Sequence, residues 1–272
     1  MKEELIHRIE KLKKDYFFQI EPVDIFNENV LSCAFIAPAS EGYWISDNVA
    51  HKIHRYDINF KYAYSLKIDV YPVGIFDNGN STLYLCDAKK KIVLSYTMKE
   101  GFLSNISQGI DIQNPLFVSG SSLHEIYVSD SGCIWKYEEK QWRKIIEIDG
   151  LYVRYLNVID EKVFIYDGNS HILYIFNRDG RFLKQILFRE NSICGNRLTG
   201  FECDPTSLIF YISQGKSIYK YNRNGELLFI ANIKKDFPET ADIKRLFLSS
   251  FENRICLYLV IPNQKRMYRA FI

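Results

Sequence analysis

Short apolar runs that close on one marked position recur along this chain, and they constrain its fold more than any other feature. YWISD ends at Asp47, LYLCD at Asp87, IYVSD at Asp130, VFIYD at Asp167, IFYISQ at Gln214 and a looser ICLYLV at Val260. Their spacing of roughly 37 to 47 residues is that of a four-stranded propeller blade. A second strand-like run follows each marker after a few residues: KIHRYD, KIVLSY, CIWKYE, HILYIFN, SIYKYN and KRMYRAF. A third follows in most units, as in YAYSLKI, RKIIEI, RFLKQILF and ELLFIANI. Turn sequences such as Asn177-Arg178-Asp179-Gly180 and Asn222-Arg223-Asn224-Gly225 separate the two, and their glycines supply the positive φ that a tight hairpin needs. Upstream of each marker lies one more apolar segment: SCAFIA, PVGIFD, PLFVSG, RYLNVI, RLTGFE and RLFLSS. Six units of four strands account for nearly the whole chain.

The sixth unit has only three such strands before Ile272. An open sheet edge exposes unpaired backbone groups, so the strand-like segment Asp15–Ile20 is expected to supply the outer strand of the last blade. Before it, Met1–Lys14 places Leu5, Ile9 and Leu12 on one helical face and reads as a short amphipathic helix. The expected organisation is therefore a helix over 1–14 and a single all-β domain, a six-bladed propeller, over 15–272.

Composition agrees with strands. Aromatic residues reach 15%, with 19 Tyr and 19 Phe against 3 Met, and flat rings favour pleated surfaces. The 35 bases and 33 acids leave a formal charge of +2, too balanced to drive nucleic-acid or anionic-membrane binding. No segment approaches the roughly 18 uninterrupted apolar residues of a membrane span. The charged N-terminus, MKEELIHRIEKLKKDYF, lacks the apolar run of a secretory signal. As given, the chain reads as cytoplasmic; removal of a leader or lipid anchor would leave the same sequence and an extracytoplasmic setting. The six cysteines, Cys33, Cys86, Cys133, Cys194, Cys203 and Cys256, form no CxxC pair, and most sit in apolar runs as expected of buried reduced thiols.

One unit resembles the NHL repeat: Pro72-Val73-Gly74-Ile75, then Gly79, then Leu83-Tyr84-Leu85-Cys86-Asp87, then Lys91-Ile92. Asp47 through His51-Lys52-Ile53 to Tyr56-Asp57, and Asp167 through His171-Ile172, are similar to the second half of that pattern. The resemblance implies a six-bladed β-propeller, a fold shared by protein-binding scaffolds, calcium-dependent hydrolases and lactonases, and lyases. It also implies that an enzyme of this kind would hold calcium on carboxylates and amides of the first strands; here only Asn157 is an obvious ligand of that type.

The five histidines do not fall at places that would converge, so no histidine metal site is expected, and no nucleophile elbow or phosphate-cradling loop is present. In the stretch SDNVAHKIHRYD, Asp47 is expected to accept N–H groups of its own turn, while strand alternation keeps its acids and histidines from converging. Aligning the starts of the upstream segments puts Cys33, Pro72, Pro115, Arg154, Arg197 and Arg245 in one column, with Lys244 beside the last. Three arginines at one height, on the face that carries His51 and His171, would form an anion-binding half-ring. Tyr155 is expected to contribute beside them. The function this predicts is a non-catalytic binding module with Arg154, Arg197, Arg245, Lys244, Tyr155, His51 and His171 as ligand contacts. Its partner would be a protein, an acidic peptide or a small anion, with no cofactor required. A calcium-dependent hydrolase or lyase is the alternative.

Overall fold

A computed structural model describes residues 20–25, 30–121, 124–188, 198–232, 243, 245–251, 254–261 and 265–272. The expected helix over 1–14 lies outside them. Strand β1 (Ile20–Val23) is followed by blade one: β2 (Phe35–Ala39), β3 (Gly42–Asp47), β4 (Lys52–Tyr56) and β5 (Tyr62–Lys67). Blade two is β6 (Pro72–Asp77), β7 (Thr82–Asp87), β8 (Ile92–Thr97) and β9 (Phe102–Asn105). Blade three is β10 (Val118–Gly120), β11 (Ile126–Asp130), β12 (Cys133–Glu138) and β13 (Gln141–Glu147). Blade four is β14 (Val153–Ile159), β15 (Lys162–Asp167), β16 (Ile172–Asn177) and β17 (Phe182–Leu187). Blade five is β18 (Leu198–Asp204), β19 (Ile209–Gln214), β20 (Ser217–Tyr221) and β21 (Leu227–Asn232). The remaining strands are β22 (Arg245–Phe251), β23 (Arg254–Ile261) and β24 (Arg266–Phe271).

Each blade is a four-stranded sheet in chain order, except that the sixth runs β1-β24-β23-β22. The fold is an all-β six-bladed β-propeller. As expected, an N-terminal strand is the outer strand of the sixth blade, but it is Ile20–Val23, paired antiparallel with Met267–Ala270; residues 15–19 lie outside the described set.

The chain divides into two compact units. One holds residues 25–169 and 174–185; the other holds the described residues among 1–24, 170–173 and 186–272. In the first, β2 and β10 each contact β6, and β10 contacts β14, so first strands of successive blades meet. Its core lies between sheets: Ala37, Trp44 and Ile53 of blade one pack with Ile75, Leu83 and Leu85 of blade two. In the second unit, Tyr211 and Ile218 of blade five pack with Leu246, Leu257 and Leu259 of blade six. Burying such side chains contributes about 1.5–3 kcal/mol apiece, which explains why the marked runs are apolar at most positions.

The marker acids are structural staples. Asp47 accepts the backbone N–H groups of Val49 and Ala50 in its own turn, at 3.0 and 2.8 Å, and that of Leu31 at 2.5 Å from the segment entering the first strand. Asp87 joins Lys90 to Tyr71, Asp130 joins Ser131 to Gln113 and Asn114, and Asp167 joins Asn169 to Tyr152 in the same manner. Four blades thus tie the turn between their second and third strands to the start of their first. Buried carboxylates survive there because each is surrounded by donors. The expectation for Asp47 holds, and the bond to the incoming segment adds a second reason for an acid at this place.

The turns after Asp47, Asp87 and Asp167 end on His51, Lys91 and His171 with φ of 54°, 56° and 58°. His51 and His171 therefore occupy equivalent positions, as the repeat predicts. Lys265 adopts φ 51° before β24, and Ile261 pairs with Arg266 as Asp47 pairs with Lys52. In blade six the marker's place belongs to Ile261, one residue beyond Val260. Gly180 shows why glycine ends the other turns: its φ is 87°, and a Cβ there would lie 2.0 Å from the carbonyl oxygen of Ile145. The five described cysteines are buried.

A second regularity concerns the third strands. Arg55, Lys136, Lys220 and Arg269 stand opposite Trp44, Tyr127, Tyr211 and Tyr258 on the neighbouring second strands. The first three lie over those rings, 5.1, 5.8 and 5.5 Å from the centroids, within the range of cation–π attraction. In blade two the corresponding pair is Tyr84 and Ser95.

Candidate functional site

Arg154 and Arg245, two of the three arginines expected in one column, do not share a register position. Val153 pairs with Asp167 and Tyr155 with Tyr166, leaving Arg154 as the extra residue of a bulge. Val73 is skipped in the same way between Pro72 and Gly74, and Thr199 between Leu198 and Gly200. In β22 no bulge intervenes: Arg245 pairs with Val260, one place before Ile261, and so stands level with Tyr155. A bulge adds one residue without lengthening the ladder, so residues aligned by counting fall out of step. Arg197 and Lys244 lie outside the described residues. Arg245 is half-buried at the start of β22, in the unit that does not contain Arg154.

Arg154 nevertheless occupies a built position. Its guanidinium carbon is 4.8 Å from the centroid of the Tyr152 ring. Its stem crosses Gly168, where any Cβ would meet the Arg154 Cγ at 2.5 Å; glycine here is a matter of space. The ring and the glycine seat are in turn fixed by backbone bonds, from the Tyr152 N–H to Asp167 and from the Gly168 N–H to the Tyr152 carbonyl, at 3.1 and 2.9 Å. No carboxylate among the described residues pairs with Arg154.

Tyr155 is buried and faces a neutral polar group. Its hydroxyl accepts from the Asn157 amide at 3.1 Å, and the Asn157 carbonyl oxygen accepts from Ser119 at 2.8 Å. Strands β10 and β14 bring these three side chains together. They are poor calcium ligands as they stand, being uncharged and engaged with one another, whereas calcium takes six to eight oxygens with carboxylates among them. Among the described residues no three His, Cys, Asp or Glu side chains gather around one point.

Beside Arg154, blades three and four enclose a cleft of about 550 Å³. Tyr152 lines it, together with Leu116, Asp130, Glu147, Asp149 and Gly150. Asp130 is committed to backbone donors, whereas Glu147 and Asp149 are exposed. Sequence reading missed both acids, although Asp149-Gly150 is a turn signature that could have placed one carboxylate on this face. It missed Ser119 as well, because nothing local shows that it meets Asn157.

His51 is exposed; its Nδ1 lies 2.8 Å from the Val70 carbonyl oxygen and its ring meets Tyr71 edge-on. His171 is half-buried, and its carbonyl accepts the Phe188 N–H at 3.1 Å. One expectation for SDNVAHKIHRYD fails. The register of β3 on β4 sets His54 diagonal to Asp47 on the same sheet face, with His54 Nε2 3.5 Å from the carboxylate and both fully buried. Alternation separates neighbours along a strand but joins diagonal residues across two. Burial pushes the Asp47 carboxyl up; His54 and the bonds from Ala50, Ser32 and Leu31 outweigh this and hold it well below the usual carboxylate range.

No protein-family model matches the chain, and no curated protein matches it in sequence. Solved structures do match along its length. A streptogramin B lyase is 9% identical, with 94% of this chain and 98% of that one covered and a TM-score of 0.68. A luciferin-regenerating enzyme is 12% identical, covering 93% and 95% with a TM-score of 0.69. Regucalcin of Agrobacterium tumefaciens, described as a calcium-binding protein, is 8% identical, covering 94% and 95%, also with a TM-score of 0.69. At these identities the likeness is one of fold, that of the six-bladed β-propeller.

Proposed function

We propose that this chain is a ligand-binding propeller that takes a carboxylate-bearing peptide or small anion at the Arg154 face. One observation carries the reading: a guanidinium is held in place by an aromatic ring and a glycine seat, with no acid among the described residues to neutralise it. Arginine's planar fork suits bidentate carboxylate binding, and a preorganised fork loses little freedom when it engages. Of the other expected contacts, His51 belongs to the same unit as Arg154 and enters this proposal as a further contact. The NHL-like pattern of blades one, two and four favours the same class, since that repeat occurs in protein-binding scaffolds.

The test is titration with acetate, succinate and inorganic phosphate, followed by NMR at the Tyr152 and Gly168 backbone N–H groups in the parent and in each variant. Saturable shifts that weaken about tenfold in Arg154→Met but less in Arg154→Lys support the proposal. Resonances indifferent to all three probes refute it. The catalytic reading, a calcium-dependent hydrolase or lyase, draws on the lyase and the calcium-binding protein that share this fold. Calcium titration of the same sample separates the two: saturable perturbation around Asn157 would move the assignment to an enzyme.

A further inference from the structure

The cleft next to Arg154 extends the ligand's description, and this step rests on the anion-binding proposal. Its volume of about 550 Å³ lies within the range of small-molecule sites. Its lining includes three acids, Asp130, Glu147 and Asp149, and no lysine or arginine. Tyr152 belongs to both places, lining the cleft while its ring carries the Arg154 guanidinium. One tyrosine thus borders both a cationic group and an acid-lined open volume.

The acids differ in availability. Asp130 is saturated by the N–H groups of Gln113, Asn114 and Ser131 and by the Trp135 indole. Glu147 holds Lys144 at 3.0 Å, on side chains that are 71% and 40% exposed, a surface pair that solvent screens to little net value. Asp149 has no ion-pair partner among the described residues. Beside it, the Gly150 Cα faces open space, with no atom within 4 Å of where a Cβ would be. A ligand could therefore approach the backbone there without displacing protein.

The geometry points to a zwitterionic ligand, a molecule carrying a carboxylate for Arg154 and an ammonium for Asp149 and Glu147, with its body across Tyr152 in the cleft between blades three and four. An anion alone would leave the acidic lining unused and in part repelling, whereas a cation alone would gain nothing from Arg154. Opposite charges at the two ends also fix the ligand's direction.

Binding of ω-amino acids from glycine to aminohexanoate is compared by NMR titration with that of the matched monoamines and monocarboxylates. One chain length should bind about tenfold more tightly than either of its monofunctional counterparts. Arg154→Met should then reduce that amino acid to the level of the amine, and Asp149→Asn combined with Glu147→Gln to the level of the carboxylate. If amino acids bind no better than carboxylates, the zwitterion is refuted while anion binding at Arg154 stands. If neither class binds and Arg154→Met changes nothing, both are overturned. Thermal unfolding of each variant, expected to match the parent for these exposed and half-buried positions, identifies any loss caused by misfolding.

Discussion

Lys136 in blade three and Lys220 in blade five hold the same register position, opposite Tyr127 and Tyr211, yet their charges are accommodated by different means. Lys136 is 1% exposed, and its ammonium lies 2.7 Å from Glu125, 3.2 Å from Glu138 and 3.6 Å from Asp179. Lys220 is half-buried between two rings, 5.5 Å from the Tyr211 centroid and 5.1 Å from that of Phe229. Burial lowers its pKa, with Asp204 opposing. In three blades a long cationic stem lies beside an aromatic face at this position. How deeply the head is buried then decides whether rings suffice or carboxylates are needed.

The largest expected effect breaks this comparison at its ionic end. Lys136→Met strands Glu125 as a buried carboxylate and should cost about 3–5 kcal/mol in denaturant unfolding, whereas Lys220→Met should cost less than about 1 kcal/mol. Equal losses would show that the carboxylates do not distinguish the two sites. The combination of Lys136→Met with Glu125→Gln should recover part of the loss, because the stranded charge is gone.

The pH dependence follows from the same cluster. Burial pushes the Glu125 carboxyl up, but Lys136 and Tyr127 outweigh it and bring it to about 2. A carboxylate depressed in the folded state binds protons more readily when unfolded, so its contribution is present above the ordinary value near pH 4 and is lost as the pH falls towards 2. The stability at stake is about 3 kcal/mol. Unfolding midpoints measured between pH 6 and pH 2 should fall steeply in the parent and less so in Glu125→Gln; parallel curves would remove Glu125 from the account.

Next in size is the staple. Asp87→Ala frees the N–H groups of Tyr71 and Lys90 and should cost about 2–3 kcal/mol. The same change at half-buried Asp57, in the turn after β4, should cost about 1 kcal/mol or less although it too accepts two N–H groups, because those bonds are solvent-exposed. Lys91→Gly is the smallest. It relieves a positive φ of 56° and gives up a surface bond to Gln113. A gain of up to about 1 kcal/mol is expected, the relief being partly offset by the entropy of glycine.

The repeat was legible because burial between blades forces the same apolar pattern six times, and because the staple needs an acid that no other residue replaces in four of them. The arginine row was not legible. A bulge such as that at Arg154 has no composition of its own, and in blade six the absence of one sets Arg245 level with Tyr155. The pairing of Ser119 with Asn157 and the meeting of Asp47 with His54 were hidden for a related reason. Both depend on register between strands, which alternation along one strand cannot supply. Arg154 could be singled out, but its seat on Tyr152 and Gly168 could not.

The pairing of β1 with β24 carries a kinetic consequence. Glu21 and Arg269, joined at 2.6 Å, are 248 residues apart, and closing a loop of that length costs about 5 kcal/mol of chain entropy before any contact offsets it. During synthesis β1 emerges early and must wait unpaired until β24 is made. The sixth blade is therefore the last sheet that can be completed, and long-range strand pairing of this kind is slow. Until then β1 keeps an open edge, a place where another chain could add a strand, so the interval between the two ends is when this protein is most exposed to misassembly.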